Sequence, residues 1–260
     1  PELLREYGRR IASFNGRFTT GQDLGITVED LKYIGQETRY LAGTDRGVGD
    51  LSFVAAQGLI YGMKACSKAV FSKDSLKNLK VAVQGAGQVG YQLIKKLSAE
   101  GAQIFVSDVD PRAMERVTKE FKAKAVNPEE IYEIECDIFS PCALGGILND
   151  QTIPRLQCAI VAGSANNQLK EPRHGEMLHE LGILYAPDYV INAGGLIAGM
   201  QELTGGSLEK ALADAEKIYE RLSEIIARSQ KEGISTAKAA DLLVEERLRQ
   251  AKLKKGLKHS

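Results

Sequence analysis

Apolar residues recur along this chain with two different periods, and the way the periods alternate predicts the architecture. Leu3, Leu4, Tyr7, Ile11 and Phe14 return every three or four positions, the spacing of one helix face. From Leu79 to about Ala198 the pattern changes: short β-branched runs alternate with amphipathic stretches. "KVAVQG", "AQIFVSD", "CDIFSP", "CAIVAG" and "YVINAGG" read as strands, while Val89 to Glu100 and Pro111 to Phe121 read as helices. Strands alternating with helices imply βαβ crossovers, so the expected fold class is α/β, with a doubly wound parallel sheet. Ala55 to Ser72 reads as one long helix leading into the first strand. Leu208 to Glu232 and Thr236 to about Lys254 read as two more, with Gly233 suited to end the first and Ser235 or Thr236 to cap the second.

Composition narrows the function. Of the 260 residues 43% are hydrophobic, and 34 basic side chains balance 34 acidic ones, so nothing draws the whole molecule to nucleic acid or an anionic membrane. A small-molecule ligand is the expected partner. No apolar run approaches the ~18 residues of a membrane span and "PELLREYGRR" has no signal-peptide core, which points to the cytoplasm. Cys66, Cys136, Cys142 and Cys158 form no C-x-x-C pair and read as reduced, core-type thiols. His174, His179 and His259 lack metal-site spacing, so no metal is expected. The basic ending "KLKKGLKHS" reads as a solvated tail. Because the chain opens on Pro, already in helical stride, it reads as a piece of something longer.

The strongest motif lies in "KVAVQGAGQVGYQLIKKL". Gly85, Gly87 and Gly90 make G-x-G-x-x-G directly after a strand and at the opening of a helix. Gly85 permits the tight turn, Gly87 lets the backbone approach a pyrophosphate, and Gly90 lets helix and sheet pack closely. The phosphates would then meet the free N–H groups of the helix N-terminus. "IFVSDVD" puts Asp108 at the end of the second strand, 18 residues beyond Gly90, where a carboxylate accepts ribose hydroxyls and repels a 2′-phosphate. NAD is therefore favoured over NADP, although Arg112 close by leaves NADP use open.

Longer stretches then become recognisable. "CDIFSPCALGGILNDQTIPRL", "IVAGSANNQLKEPRHGEMLHELGILYAPDYVINAGGLI" and "GRFTTGQDLGITVEDL" resemble the Glu/Leu/Phe/Val dehydrogenase family, nearest its leucine, phenylalanine and tryptophan dehydrogenases, from about Leu3 to Glu246. The resemblance implies NAD-dependent oxidative deamination of an L-amino acid to a 2-oxo acid and ammonia, with the protein supplying orientation and proton transfer. It implies that Gly85, Ala86, Gly87, Gln88, Val89, Gly90, Tyr91 and Asp108 hold the adenosine and pyrophosphate. Cys142 and Ala143 of "PCALGG", Ala165, Asn166 and Asn167 of "SANNQ", and Asn192 of "INAGG" would line the nicotinamide end. Each asparagine has an alternative as a turn residue satisfied by local backbone. Asp23 of "TTGQDLG" matches the family's proton-transfer aspartate, with a turn or N-cap role as its alternative. The implied division is a remnant of the substrate domain in 1–52, a Rossmann domain in 53–205 and C-terminal helices in 206–260. Leu196, Ala198 and Met200 suit a branched-chain or aromatic substrate, and "GRFTTGQD" and "VSDVDP" lean toward the tryptophan-active relatives.

Two departures stand out. The family's chemistry rests on two lysines of an N-terminal segment, one in G-G-G-K, and these 260 residues contain no G-G-x-K. Where the family carries Pro-x-Thr-Ala, this chain has "SFVAAQG", with Phe53 and Ala55 in place of Pro and Thr. The lost hydroxyl removes one hydrogen bond, a net effect of about 1 kcal/mol. Three expectations follow: part of an amino-acid dehydrogenase, homo-oligomeric once the N-terminal region is present; a catalytically silent member that binds NAD; or a protein-interaction module on the same sheet.

Overall fold

The computed structural model describes residues 1–21, 23, 25–44 and 48–256. Helix α1 (Glu2–Ser13) packs on α2 (Val28–Gly35), which opens on a capping box: Thr27 accepts the Asp30 amide while Asp30 accepts the Thr27 amide. Of the predicted apolar stripe only Ile11 is buried, while the half-buried Leu4 packs against the Leu31, Ile34 and Leu41 cluster. Leu3, Tyr7 and Phe14 are exposed. Strands β1 (Thr20–Gly21) and β2 (Leu41–Ala42) pair in parallel beside the helices.

Helix α3 (Leu51–Phe71) leads into the main sheet. It begins four residues before the expected Ala55, because Asp50 accepts the Ser52 amide at 2.9 Å and so caps it. The sheet then winds outward from its centre: β3 (Lys80–Gln84), α4 (Gln88–Glu100), β4 (Gln103–Ser107), α5 (Pro111–Phe121), β5 (Lys124–Ala125). The chain next crosses to the other side of β3 and builds β6 (Ile138–Pro141), β7 (Ile160–Val161), α6 (Arg173–Glu180) and β8 (Leu184–Tyr185). All six strands are parallel, in the order β5-β4-β3-β6-β7-β8. Alternation within the strands explains the two layers. Val81 and Val83 join Leu59, Met63, Leu93 and Leu222 in one core, while Ala82 points to the opposite core with Phe139, Leu148 and Leu178. Each fully buried Leu, Ile or Val contributes about 1.5–3 kcal/mol relative to exposure.

One expected strand is a helix. "YVINAGG" forms α7 (Asp188–Ile191) and runs into α8 (Gly194–Leu203), whereas the sheet edge is β8, a few residues earlier. Pro187 has no N–H to continue a ladder, so β8 stops there and the apolar run turns into a helix that buries Ile191. A short apolar run has no period of its own. β5 has no apolar pattern, since both its residues are exposed at the edge.

The C-terminal pair is α9 (Leu208–Glu232), ended by Gly233, and α10 (Thr236–Gly256). Ser235 is the cap, accepting the Lys238 amide at 3.2 Å, while the Thr236 hydroxyl donates to the Tyr185 carbonyl at 2.5 Å and ties α10 to β8. The tail beyond Gly256 lies outside the described residues. Among the described residues no helix is long and apolar enough to cross a membrane.

Candidate functional site

At β3 the winding direction reverses, which makes the carboxyl ends of β3 and β6 the switch point beside which open α/β sheets take their ligands. Gly85 turns the chain out of β3 with φ +103°, a conformation side chains resist. A Cβ there would stand 2.9 Å from the Ala143 nitrogen, so the glycine turn and the β6 loop touch. A Cβ on Gly90 would collide with the Gly85 carbonyl oxygen: helix α4 sits directly on the turn. Gly87 differs from both. Nothing lies within 4 Å of its missing Cβ, and as the cap residue of α4 it brings no side-chain acceptor.

Asp108 closes the other side. Its Oδ2 accepts the Ala86 amide at 2.6 Å and its Oδ1 accepts the Asp110 amide at 2.8 Å. The carboxylate that ends β4 therefore clamps the glycine turn that ends β3. Each oxygen has further lone-pair capacity. Val89 packs into the core beneath the turn, and Gln88 is exposed at its rim. Tyr91 contributes its amide, which donates to the Gly87 carbonyl at 2.8 Å. Its side chain goes to α5 instead, stacking under Arg116 at 3.6 Å and donating to Glu120 at 2.6 Å.

The second group of expected residues assembles beside the first. The Cys142 amide donates to Gln84 O at 2.7 Å, the Ala165 amide to Pro141 O at 2.9 Å, and Asn192 Nδ2 to Asn166 Oδ1 at 2.5 Å. These contacts chain the β3, β6 and β7 loops and the end of α7 into one row. Asn167 has φ +52° and its carbonyl accepts the Gly146 amide at 2.7 Å, so it serves the turn as well as facing solvent. Asp23 stands apart. It is exposed just beyond β1, its carbonyl accepts the Ile26 amide at 3.0 Å, and the N-cap alternative is taken by Thr27.

Sequence reasoning missed the residues that hold these loops. Gln168 is fully buried beneath "SANNQ", donating from Nε2 to Gly163 O and Ala165 O at 2.9 and 3.0 Å, while its amide donates to Asp188 at 2.7 Å. Glu202 is a buried carboxylate on α8. A lone acid in the apolar helix "GGLIAGMQEL", one turn after Ala198, was its available signal. Ala55 is buried against α8: a Cβ on Gly194 would stand 2.9 Å from Ala55 Cα. Leu196 and Met200 are exposed, at 73% and 50%, on the outer face of α8. Among the described residues no group of three or more His, Cys, Asp or Glu could hold a metal ion.

An open parallel sheet, wound both ways from a central strand that ends in a glycine turn, defines the class as a Rossmann-type α/β protein. Residues 106–258 match the family described as Glutamate/Leucine/Phenylalanine/Valine dehydrogenase. Leucine dehydrogenase of Geobacillus stearothermophilus is 49% identical over 249 residues, 95% of this chain and 68% of that one. L-tryptophan dehydrogenase of Nostoc punctiforme is 47% identical over 255 residues, covering 98% and 72%. The crystal structure of L-tryptophan dehydrogenase from Nostoc punctiforme superposes with a TM-score of 0.82 at 46% identity, over 96% of this chain and 73% of that one. The chain belongs to the glutamate/leucine/phenylalanine/valine dehydrogenase family of amino-acid oxidoreductases.

Proposed function

We propose that this chain is the cofactor-binding part of an NAD-dependent dehydrogenase acting on an apolar L-amino acid, branched-chain or aromatic, and its 2-oxo acid. The observation that carries the reading is the clamp of Asp108 on the Ala86 amide beside the open space at Gly87. That arrangement fits a dinucleotide: the α4 N-terminus favours a pyrophosphate, Gly87 leaves room for it, and the Asp108 oxygens have lone pairs for the adenosine ribose. When bound, NAD supplies the hydride acceptor. The row Cys142, Ala143, Ala165, Asn166, Asn167 and Asn192 orients the nicotinamide end, with Asn166 and Asn192 already holding each other at 2.5 Å. Asp23 moves a proton at the substrate amino group in concert with the family's lysines, which are not among these 260 residues. The exposed Leu196 and Met200 suit an apolar substrate side chain.

The working division is 1–52 as substrate-domain remnant, 53–205 as dinucleotide-binding domain and 206–260 as C-terminal helices. The setting is the cytoplasm, in keeping with four unpaired cysteines, and the working assembly is a homo-oligomer formed with the family's N-terminal segment. A second reading, NAD binding without turnover, is favoured by Ala55, which offers no hydroxyl and is pressed against Gly194. Titration calorimetry with NAD tests both, because both require saturable binding. A chain that binds no NAD leaves only the protein-interaction reading.

A further inference from the structure

Helix α8 connects two regions the site needs together. At its start, Gly194 is wedged on α3, where an added Cβ would stand 2.7 Å from Val54 O, and Asn192 lies just upstream. At its other end Glu202, 8% exposed, reaches across to the segment that follows β2. Oε2 accepts the Gly43 amide at 2.6 Å, and Oε1 accepts both the Thr44 amide at 2.9 Å and the Thr44 hydroxyl at 2.6 Å. Between these ends Gly199 lies against Ala42, with an added Cβ 3.5 Å from the Ala42 Cβ. β2 in turn pairs with β1, Thr20 with Leu41 and Gly21 with Ala42, and Asp23 is two residues beyond β1.

We propose that Glu202 is a positioning residue that sets where Asp23 stands relative to the Asn166–Asn192 loops, using α8 as a rigid strut. The proposal rests on the reading of Asp23 as the proton-transfer group. The chemistry suits a carboxylate and nothing else of that size. All three partners are donors, an ionised carboxylate is acceptor-only, and charge-assisted hydrogen bonds are shorter and stronger than neutral ones. An amide in its place would turn an N–H toward donors. Glutamine keeps one acceptor oxygen and loses the other, so either the Gly43 amide or the Thr44 pair of donors is left without its partner, and the segment would loosen and carry β2 and β1 with it.

The test is amide hydrogen exchange together with the 13C signal of the Asp23 carboxyl carbon, measured on the full chain and on Glu202→Gln. Exchange should quicken about tenfold at Gly43, Thr44, Thr20, Gly21, Leu41 and Ala42, with β3, β6 and β7 unchanged, and the Asp23 signal should move. Thr44→Val, which removes one of the three bonds, should give the same pattern more weakly. Acceleration confined to Gly43 and Thr44, spread evenly over the main sheet, or absent would overturn the proposal, as would an unmoved Asp23 signal. NAD affinity is measured alongside. Equal affinity in wild type and Glu202→Gln supports a role restricted to the Asp23 side, and loss in Glu202→Gln overturns it. Failure of the wild-type chain to bind NAD would refute the cofactor reading without touching the exchange result.

Discussion

The Asp108 carboxylate accepts the Ala86 amide at 2.6 Å, so the acid that ends β4 holds the glycine turn that ends β3. One side chain thereby shapes the glycine turn, and in the proposed dinucleotide site its oxygens have lone pairs for a ribose. The chain should bind NAD more tightly than NADP, because a 2′-phosphate would meet this carboxylate. Asp108→Ala should weaken NAD and narrow the difference, and Asp108→Asn should do the same while keeping the shape. Calorimetry of all three proteins with both cofactors decides it. Equal affinities in the unmutated chain would remove Asp108 from the site.

Gly87 and Gly90, three residues apart, should respond oppositely. The Cβ that Gly87→Val adds has nothing within 4 Å in the protein, so the fold should survive while cofactor binding is lost. Gly90→Ala drives a methyl into the Gly85 carbonyl, so it should unsettle the α4 packing itself, at a cost of about 1–3 kcal/mol typical of overpacking. Thermal melts and NAD titrations of both variants separate the cases. Unchanged NAD affinity in Gly87→Val would make the loop a turn only.

Turnover should be absent from the 260-residue chain with leucine, phenylalanine or tryptophan as substrate. Hydride transfer needs the substrate Cα–H held in register, and these 260 residues contain no G-G-x-K, the motif whose lysine is proposed to pin the substrate carboxylate. Asp23 cannot attract that carboxylate, since like charges repel. Supplying a family-type N-terminal segment, in cis or as a separate chain, should restore NADH production. Asp23→Asn in that restored protein should lower kcat about 10²- to 10⁴-fold with little change in NAD affinity. Robust NADH production by the chain alone would mean that other residues have taken over the lysines' roles.

Thiol reactivity should single out one cysteine. Burial pushes the Cys66, Cys136 and Cys158 thiols up to about 12, so at pH 8 they stay protonated and inert in the folded protein. Cys142, half-buried beside Ser140 in the β6 loop, is the one expected to react with a disulfide reagent, and NAD should slow it. The same shifts give a pH dependence. A thiol whose folded pKa is raised favours folding fully below its unfolded value near 8.5, and that contribution is lost as pH climbs toward 12. Melting temperature should therefore fall between pH 8.5 and 11, and less steeply in Cys136→Ala/Cys158→Ala if that variant folds well at pH 7. Fast modification of all four thiols in the native protein would contradict the burial.

Wherever a single stretch carries both the pattern and its consequence, the sequence alone was sufficient. Pro111 to Phe121 and Leu208 to Glu232 are helices with the expected ends, because caps, periodicity and left-handed stops are local chemistry. The glycine turn was legible for the same reason: strand, turn and helix are consecutive, and Gly90 must yield to Gly85 five residues earlier. Tertiary structure decided the rest. "YVINAGG" is helical because Pro187 ends the edge strand and Ile191 finds its burial on α3 and α9, which no window of sequence contains. Tyr91, adjacent to the motif, was drawn to α5 by Arg116 and Glu120. Gln168 and Glu202 became visible only once distant carbonyls and amides had been brought to them. Glu202 meets Gly43 across 159 positions, and a buried carboxylate takes its meaning from the donors that folding delivers to it.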